Sequence, residues 1–130
     1  MAELIEGISH LDAKELQAIV ADPANPVVVI DVREPEEYTE AHIAGLPLIP
    51  MGDIIDIVDQ LDKSKEYVFV CRSGRRSFEV AKFFRAQGFE QVHNFKGGML
   101  DWQEQGHEIA AGEDHIIETF SPEQLERKRS

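Results

Sequence analysis

The stretch Glu66-Tyr67-Val68-Phe69-Val70-Cys71-Arg72-Ser73-Gly74-Arg75-Arg76-Ser77 decides the fold of this chain. A short run of β-branched and aromatic residues stops at a cysteine. A glycine, three arginines and two serines follow before an amphipathic pattern resumes at Phe78. The pattern predicts a buried strand, then a loop, then a helix. Open α/β sheets bind ligands at the carboxyl ends of their strands, and backbone N–H groups at a helix start converge on anions. The loop after Val70 is therefore the candidate site, with Cys71 inside it.

An ordinary thiol, with a pKa of about 8.5, is mostly protonated at neutral pH, and it is the thiolate that attacks. Useful chemistry needs something that stabilises the anion. Here the unpaired N–H groups of a helix start, the positive end of its dipole and the guanidinium groups of Arg72, Arg75 and Arg76 all favour negative charge. Gly74 lets the backbone adopt a conformation closed to other residues and approach a ligand closely. The plainer alternative is an inert core cysteine beside a solvated arginine loop. Three nearby cations and a glycine have no purpose in that alternative.

An anion-binding loop around a nucleophilic thiol suits attack on phosphorus or on a sulfane sulfur. Cysteine phosphatases require a wider cradle, with the clamping arginine one position further from the cysteine than Arg76. That position is Ser77 here. The six residues from Cys71 to Arg76 suit the smaller reactive sulfur.

Cys71-Arg72-Ser73-Gly74-Arg75-Arg76-Ser77 resembles the active-site loop of the rhodanese sulfurtransferases. The similarity continues upstream in Val29-Ile30-Asp31-Val32-Arg33-Glu34-Pro35-Glu36-Glu37-Tyr38 and in His42-Ile43-Ala44-Gly45 with Ile49-Pro50. Downstream it continues in Lys96-Gly97-Gly98-Met99-Leu100-Asp101-Trp102. The three blocks stand in the family's order and span about residues 5 to 106; Leu46 and Leu48 depart from the alanine and asparagine of many relatives. The resemblance implies a three-layer α/β domain over residues 1–106, with a mostly parallel sheet of about five strands flanked by helices, and a C-terminal extension over 107–130. It also implies a sulfurtransferase that moves sulfane sulfur from thiosulfate or another persulfide donor to a thiol or cyanide through a Cys71 persulfide, with no cofactor. Arg72, Ser73, Gly74, Arg75, Arg76 and Ser77 would bind the donor. Asp31 and Arg33 would support the loop, through an ion pair or bonds to its backbone, although a surface turn fits Arg33 equally well. A phosphatase or arsenate reductase on a related scaffold and a non-catalytic docking module are the competing readings.

Composition sets the outer limits. The chain has 130 residues, 42% hydrophobic and 29% charged, as expected of one globular domain. No apolar run approaches a membrane span and the amino terminus lacks a signal-peptide pattern, so a cytoplasmic protein is expected. The net charge of −12 argues against nucleic acid as a partner. Three of its 13 basic residues nevertheless lie within five positions beside the thiol, which suggests a local site for a small anionic donor. A single cysteine excludes an internal disulfide and a resolving thiol, so sulfur on Cys71 must leave to an acceptor in trans. The five histidines show no ligand spacing, and no metal is expected.

In chain order, Glu3 to Ser9 reads as a first strand. Asp12-Ala13-Lys14-Glu15 then opens a helix as a capping box, with Leu16, Ile19 and Val20 on one face. The breakers Asp22-Pro23-Ala24-Asn25-Pro26 close that helix, and Val27 to Asp31 is a strand buried on both faces. Pro35 to Tyr38 forms a helical turn, and His42 reads as structural. Leu48-Ile49 reads as a brief strand, followed by a helix bearing Ile54, Ile55, Val58 and Leu61. Phe78 to Phe84 gives an apolar helix stopped at Gly88, Gln91 to Phe95 a strand, and Gly97-Gly98 a turn into a helix with Met99 and Trp102 on its core side. In the extension, Gly112-Glu113-Asp114 reads as linker, Ser121-Pro122-Glu123-Gln124 as a helix start and Arg127-Lys128-Arg129 as a basic end.

Overall fold

Tyr67-Val68-Phe69-Val70 sends alternate side chains into two separate cores, which is why all four are buried. Tyr67 and Phe69 join Val28, Ile30, Ile54, Val80 and Phe84 on one side of the sheet. Val68 and Val70 join Val29, Leu16, Met99 and Trp102 on the other. The computed structural model describes residues 3–113 and 116–117. It contains β1 (Glu3–Ile5), β2 (Ile8–Leu11), β3 (Val28–Asp31), β4 (Tyr67–Val70) and β5 (Val92–Phe95) in one five-stranded sheet, ordered β1-β2-β5-β4-β3. Every neighbouring pair is parallel except β1 with β2.

The helices are α1 (Ala13–Ala21), α2 (Pro35–Glu40), α3 (Met51–Asp56), α4 (Arg75–Ala86) and α5 (Gly98–Glu104). α3 and α4 cover one face of the sheet, and α1 and α5 cover the other. This is the three-layer α/β arrangement. The capping box at Asp12 and Glu15 is present, with Asp12 Oδ1 accepting from Glu15 N–H at 2.8 Å. At the far end of α4, Gly88 takes φ 98°, and the N–H of buried Phe89 donates to Phe84 O at 3.1 Å. That pair of features closes the helix and packs Phe89 against Phe84, ring centroids 4.7 Å apart and planes tilted by 54°.

Three boundaries differ from the sequence expectation. Glu3 to Ser9 is not one strand: Glu6 and Gly7 both take positive φ, 53° and 79°, and fold the segment into a β1–β2 hairpin. Leu48-Ile49 makes only isolated bridges, from Leu48 to Asp31 and to Ile116, because Pro47 and Pro50 flank it and supply no N–H to extend a ladder. The helix after Pro50 breaks at Ile57, and Val58–Gln60 continues as a 3₁₀ turn. In the extension, Ala110 bridges to His42 and Ile117 N–H donates to Leu48 O at 3.1 Å, so the chain returns along the domain beyond residue 106. The helix expected from Ser121, the Arg127-Lys128-Arg129 cluster and His115 lie outside the described residues.

Candidate active site

β3, β4 and β5 are in register, so their carboxyl ends finish at one edge. Asp31 pairs with Val70 there, and Cys71 is the next residue. Its side chain is fully buried and packs into the core that α4 covers. Gly74 N–H donates to Cys71 Sγ at 3.1 Å, and Ser77 Oγ lies 3.2 Å from the same sulfur. Gly74 is also the N-cap residue immediately before α4, and no side chain caps that twelve-residue helix. The sulfur thus sits at the positive end of a helix dipole, against one amide donor.

Gly74 is required twice over. It adopts φ 87°, and a Cβ on it would stand 2.0 Å from Lys96 O. Gly98 mirrors it from the opposite side, with φ 63° and a Cβ position 2.4 Å from Arg72 O. The two glycines let the loop and the Lys96–Gly98 turn interlock backbone to backbone. Met99 N–H then donates to Cys71 O at 2.9 Å and Leu100 N–H to Arg72 O at 3.0 Å. The start of α5 therefore anchors the loop by its carbonyls. A cavity of about 450 Å³ at the ends of β2 and β5, lined by His10, Asp12, Glu15, Lys96 and Asp101 among others, lies behind this turn.

The arginines divide into two kinds. Arg72 and Arg75 are exposed, as is Ser73. Arg76, on the first turn of α4, is half-buried and bonded to Glu37 of α2, Nη1 to Oε1 at 2.7 Å and Nη2 to Oε2 at 2.8 Å. The Arg76 bonds hold the Glu37 carboxyl at about 2, well below the usual carboxylate range, against the opposing effect of its partial burial. Arg76 is pushed further up, first by the bond to Glu37 and in smaller part by the charge of Cys71.

Asp31 and Arg33 form a buried pair, with Arg33 Nη2 to Asp31 Oδ2 at 2.8 Å and Nε to both carboxylate oxygens at 3.0 and 3.1 Å. Burial pushes the Asp31 carboxyl up, while the Arg33 bonds pull it down. The remaining Arg33 donors reach Ala41 O at 2.7 Å and Glu37 O at 3.4 Å, at the carboxyl end of α2. Among the described bonds, none runs from Arg33 to the 71–77 loop itself. Its link to the loop passes through α2 and Glu37 to Arg76. His42 is buried, stacked on Tyr38 at 3.8 Å, with Nδ1 2.7 Å from Tyr38 O.

Sequence reasoning assigned no role to Glu37 or Asn94. Glu37 is one acid among several on α2, and nothing in its spacing singles it out. Asn94 left a weak signal, since β5 reads Val92-His93-Asn94-Phe95 and Asn94 is one of two polar residues in a strand with a mostly buried pattern. Its Nδ2 donates to Gly74 O at 3.0 Å and its Oδ1 lies 2.5 Å from Ser77 Oγ.

The family model of the rhodanese-like domain matches residues 12–105, most of the chain. The chain belongs to the rhodanese-like family. Within it, YtwF of Bacillus subtilis is 52% identical over 75 residues, 58% of this chain and 72% of that protein. Thiosulfate sulfurtransferase GlpE of Coxiella burnetii is 33% identical over 96 residues, 74% of this chain and 85% of its own length. A rhodanese-like domain protein of Staphylococcus aureus, solved by crystallography, superposes with a TM-score of 0.67 at 33% identity, covering 78% of this chain and 98% of that one. Sulfur transfer of the rhodanese type is supported at the level of the family. Among the described residues, no helix is long and apolar enough to cross a membrane.

Proposed function

We propose that Cys71 carries sulfane sulfur as a persulfide, taken from thiosulfate or a related anionic donor and passed to a thiol or to cyanide. The observation that carries this reading is the Gly74 N–H aimed at Cys71 Sγ from the start of α4, with Arg72 and Arg75 exposed alongside. In the first step the Cys71 thiolate attacks the outer sulfur of thiosulfate. The S–S bond of the donor breaks, sulfite leaves with the bonding electron pair, and a Cys71 persulfide anion remains. In the second step an acceptor thiolate attacks the outer sulfur, and the Cys71 thiolate is the leaving group. No oxidant or reductant enters either step.

Each group has a role consistent with its position. The helix start and the Gly74 amide favour negative charge at the sulfur in the manner of an oxyanion hole. Arg72 and Arg75 present guanidinium forks to the charged end of the donor. Arg76, fixed by Glu37, adds a stationary positive charge near the sulfur rather than a mobile clamp. The chain's only cysteine is the carrier, so the acceptor thiol comes from another molecule.

Sulfite release from thiosulfate in the presence of cyanide tests the reading. The protein is expected to turn over, and Cys71→Ser to be inactive. Turnover of an aryl phosphate in place of thiosulfate, or no turnover by either route, would overturn it; the second outcome would leave a docking module.

A further inference from the structure

Asn94 is 1% exposed, so each of its polar atoms must find a partner inside the protein. The orientation of its carboxamide follows from chemistry. The atom 3.0 Å from Gly74 O has to be the donor Nδ2, since two carbonyl oxygens would repel there. Oδ1 therefore faces Ser77 Oγ, 2.5 Å away, and the bond between them can only be donated by the serine. Ser77 has a single hydroxyl proton. Two acceptors compete for it, Asn94 Oδ1 and Cys71 Sγ.

We propose that Asn94 is a positioning residue that holds the Ser77 proton away from Cys71, leaving Gly74 N–H as the donor to the ionised sulfur. Turning the serine proton toward a thiolate would strand the buried Oδ1, and an unmet buried acceptor is costly. The network thus favours the states in which Sγ is neutral: the thiol, which donates its own proton to Ser77 Oγ, and the persulfide, whose charge sits on the outer sulfur. A thiolate denied its second donor is less stabilised and more nucleophilic. The proton argument stands on hydrogen-bond geometry alone, whereas the advantage to the persulfide rests on the proposed sulfur transfer.

Charged and titratable groups around this network are Arg72 and Arg75 on the loop and α4, Arg76 with Glu37 behind it, and His10 of β2, whose Nδ1 lies 3.2 Å from Asn94 Nδ2. The arginines and Glu37 are the same in every variant below, whereas the contact of Asn94 Nδ2 with His10 Nδ1 is lost in both variants that lack Asn94 and cancels only when Asn94→Ala is compared with the double variant. Gly74 O keeps a second partner, Phe78 N–H at 3.2 Å, when Asn94 is truncated.

A double-mutant cycle on the full chain tests the proposal, reading the thiolate-to-thiol ratio at one mildly acidic pH by ultraviolet thiolate absorbance and checking it against the pH midpoint of iodoacetamide alkylation. Asn94→Ala is expected to raise the ratio roughly tenfold, the effect of one freed hydrogen bond to a charged group. Ser77→Ala alone should leave it within about twofold, and adding Ser77→Ala to Asn94→Ala should return it to the starting value. A tenfold fall on Ser77→Ala alone, or an Asn94→Ala effect that persists without Ser77, would overturn the proposal. If Asn94→Ala does not fold, the Ser77→Ala arm decides by itself. A protein that passes the cycle yet takes no sulfur from thiosulfate keeps the proton arrangement and loses the sulfurtransferase reading.

Discussion

Arg76 and Glu37 are joined by two parallel hydrogen bonds, 2.7 and 2.8 Å long, that tie the first turn of α4 to α2 across 39 residues of sequence. The pair holds the helix start that faces Cys71. Its other consequence is a pH dependence. The Glu37 carboxyl falls from 4.5 to about 2 on folding, with the Arg76 bond as the largest cause. A carboxyl lowered by folding contributes stability in full above its unfolded value and loses it as the pH falls toward the folded one. Both side chains are about one-third exposed, so solvent screening reduces the contribution to about 1–2 kcal/mol. Unfolding free energies from urea titration of the wild type and Glu37→Gln should differ by that amount at neutral pH, converge below pH 4.5 and coincide below pH 2. A gap that does not change over that interval would contradict the assignment.

Arg72 and Arg75 are exposed on the loop and helix start that follow Cys71, and in the proposed transfer they bind the donor. Replacing either with Gln is expected to raise KM for thiosulfate about tenfold, the loss of a charge-assisted bond, with a smaller change in kcat. Steady-state kinetics check this. An unchanged KM in both variants would remove them from donor recognition.

Gly74→Ala combines a positive φ with a Cβ 2.0 Å from a backbone oxygen that cannot rotate away. The strain and clash together should cost about 3 kcal/mol or more and displace Cys71 Sγ from its amide. Thermal unfolding and the sulfite assay should fall together. A stable, active Gly74→Ala would mean that the loop and the Lys96 turn are not interlocked as described.

The buried pair of Asp31 and Arg33 makes a different prediction. Arg33→Met strands a buried carboxylate and is expected to cost about 3–5 kcal/mol, whereas Asp31→Leu combined with Arg33→Met should recover much of that loss. Denaturant titration of the single and double variants decides. Additive losses would show that Arg33 acts mainly through the α2 carbonyls at Glu37 and Ala41.

Much of this was legible in order of residues alone. Tyr67 to Val70 could be read because β-branched and aromatic residues with no polar break fit only a strand buried on both faces. The cysteine loop could be read because a thiol, a glycine and clustered arginines combine three independent chemical signals. Two things could not be read. Glu6-Gly7 lacks the usual Asn-Gly signature, so the hairpin that supplies the edge strand β1 was hidden. The partners of Arg76 and Ser77 were hidden because Glu37 and Asn94 lie 39 and 17 residues away, and only the packing of α2 and β5 against α4 brings them near. Local pattern fixed the elements; the long-range polar bonds needed the fold.

The most direct test of the account is the intact mass of the protein after incubation with thiosulfate and removal of excess donor. One added sulfur atom on the wild type, none on Cys71→Ser, and its loss on adding cyanide or a small thiol are the expected results. A wild type that gains no sulfur from thiosulfate or any other persulfide donor, or a Cys71→Ser variant that gains as much, would contradict it.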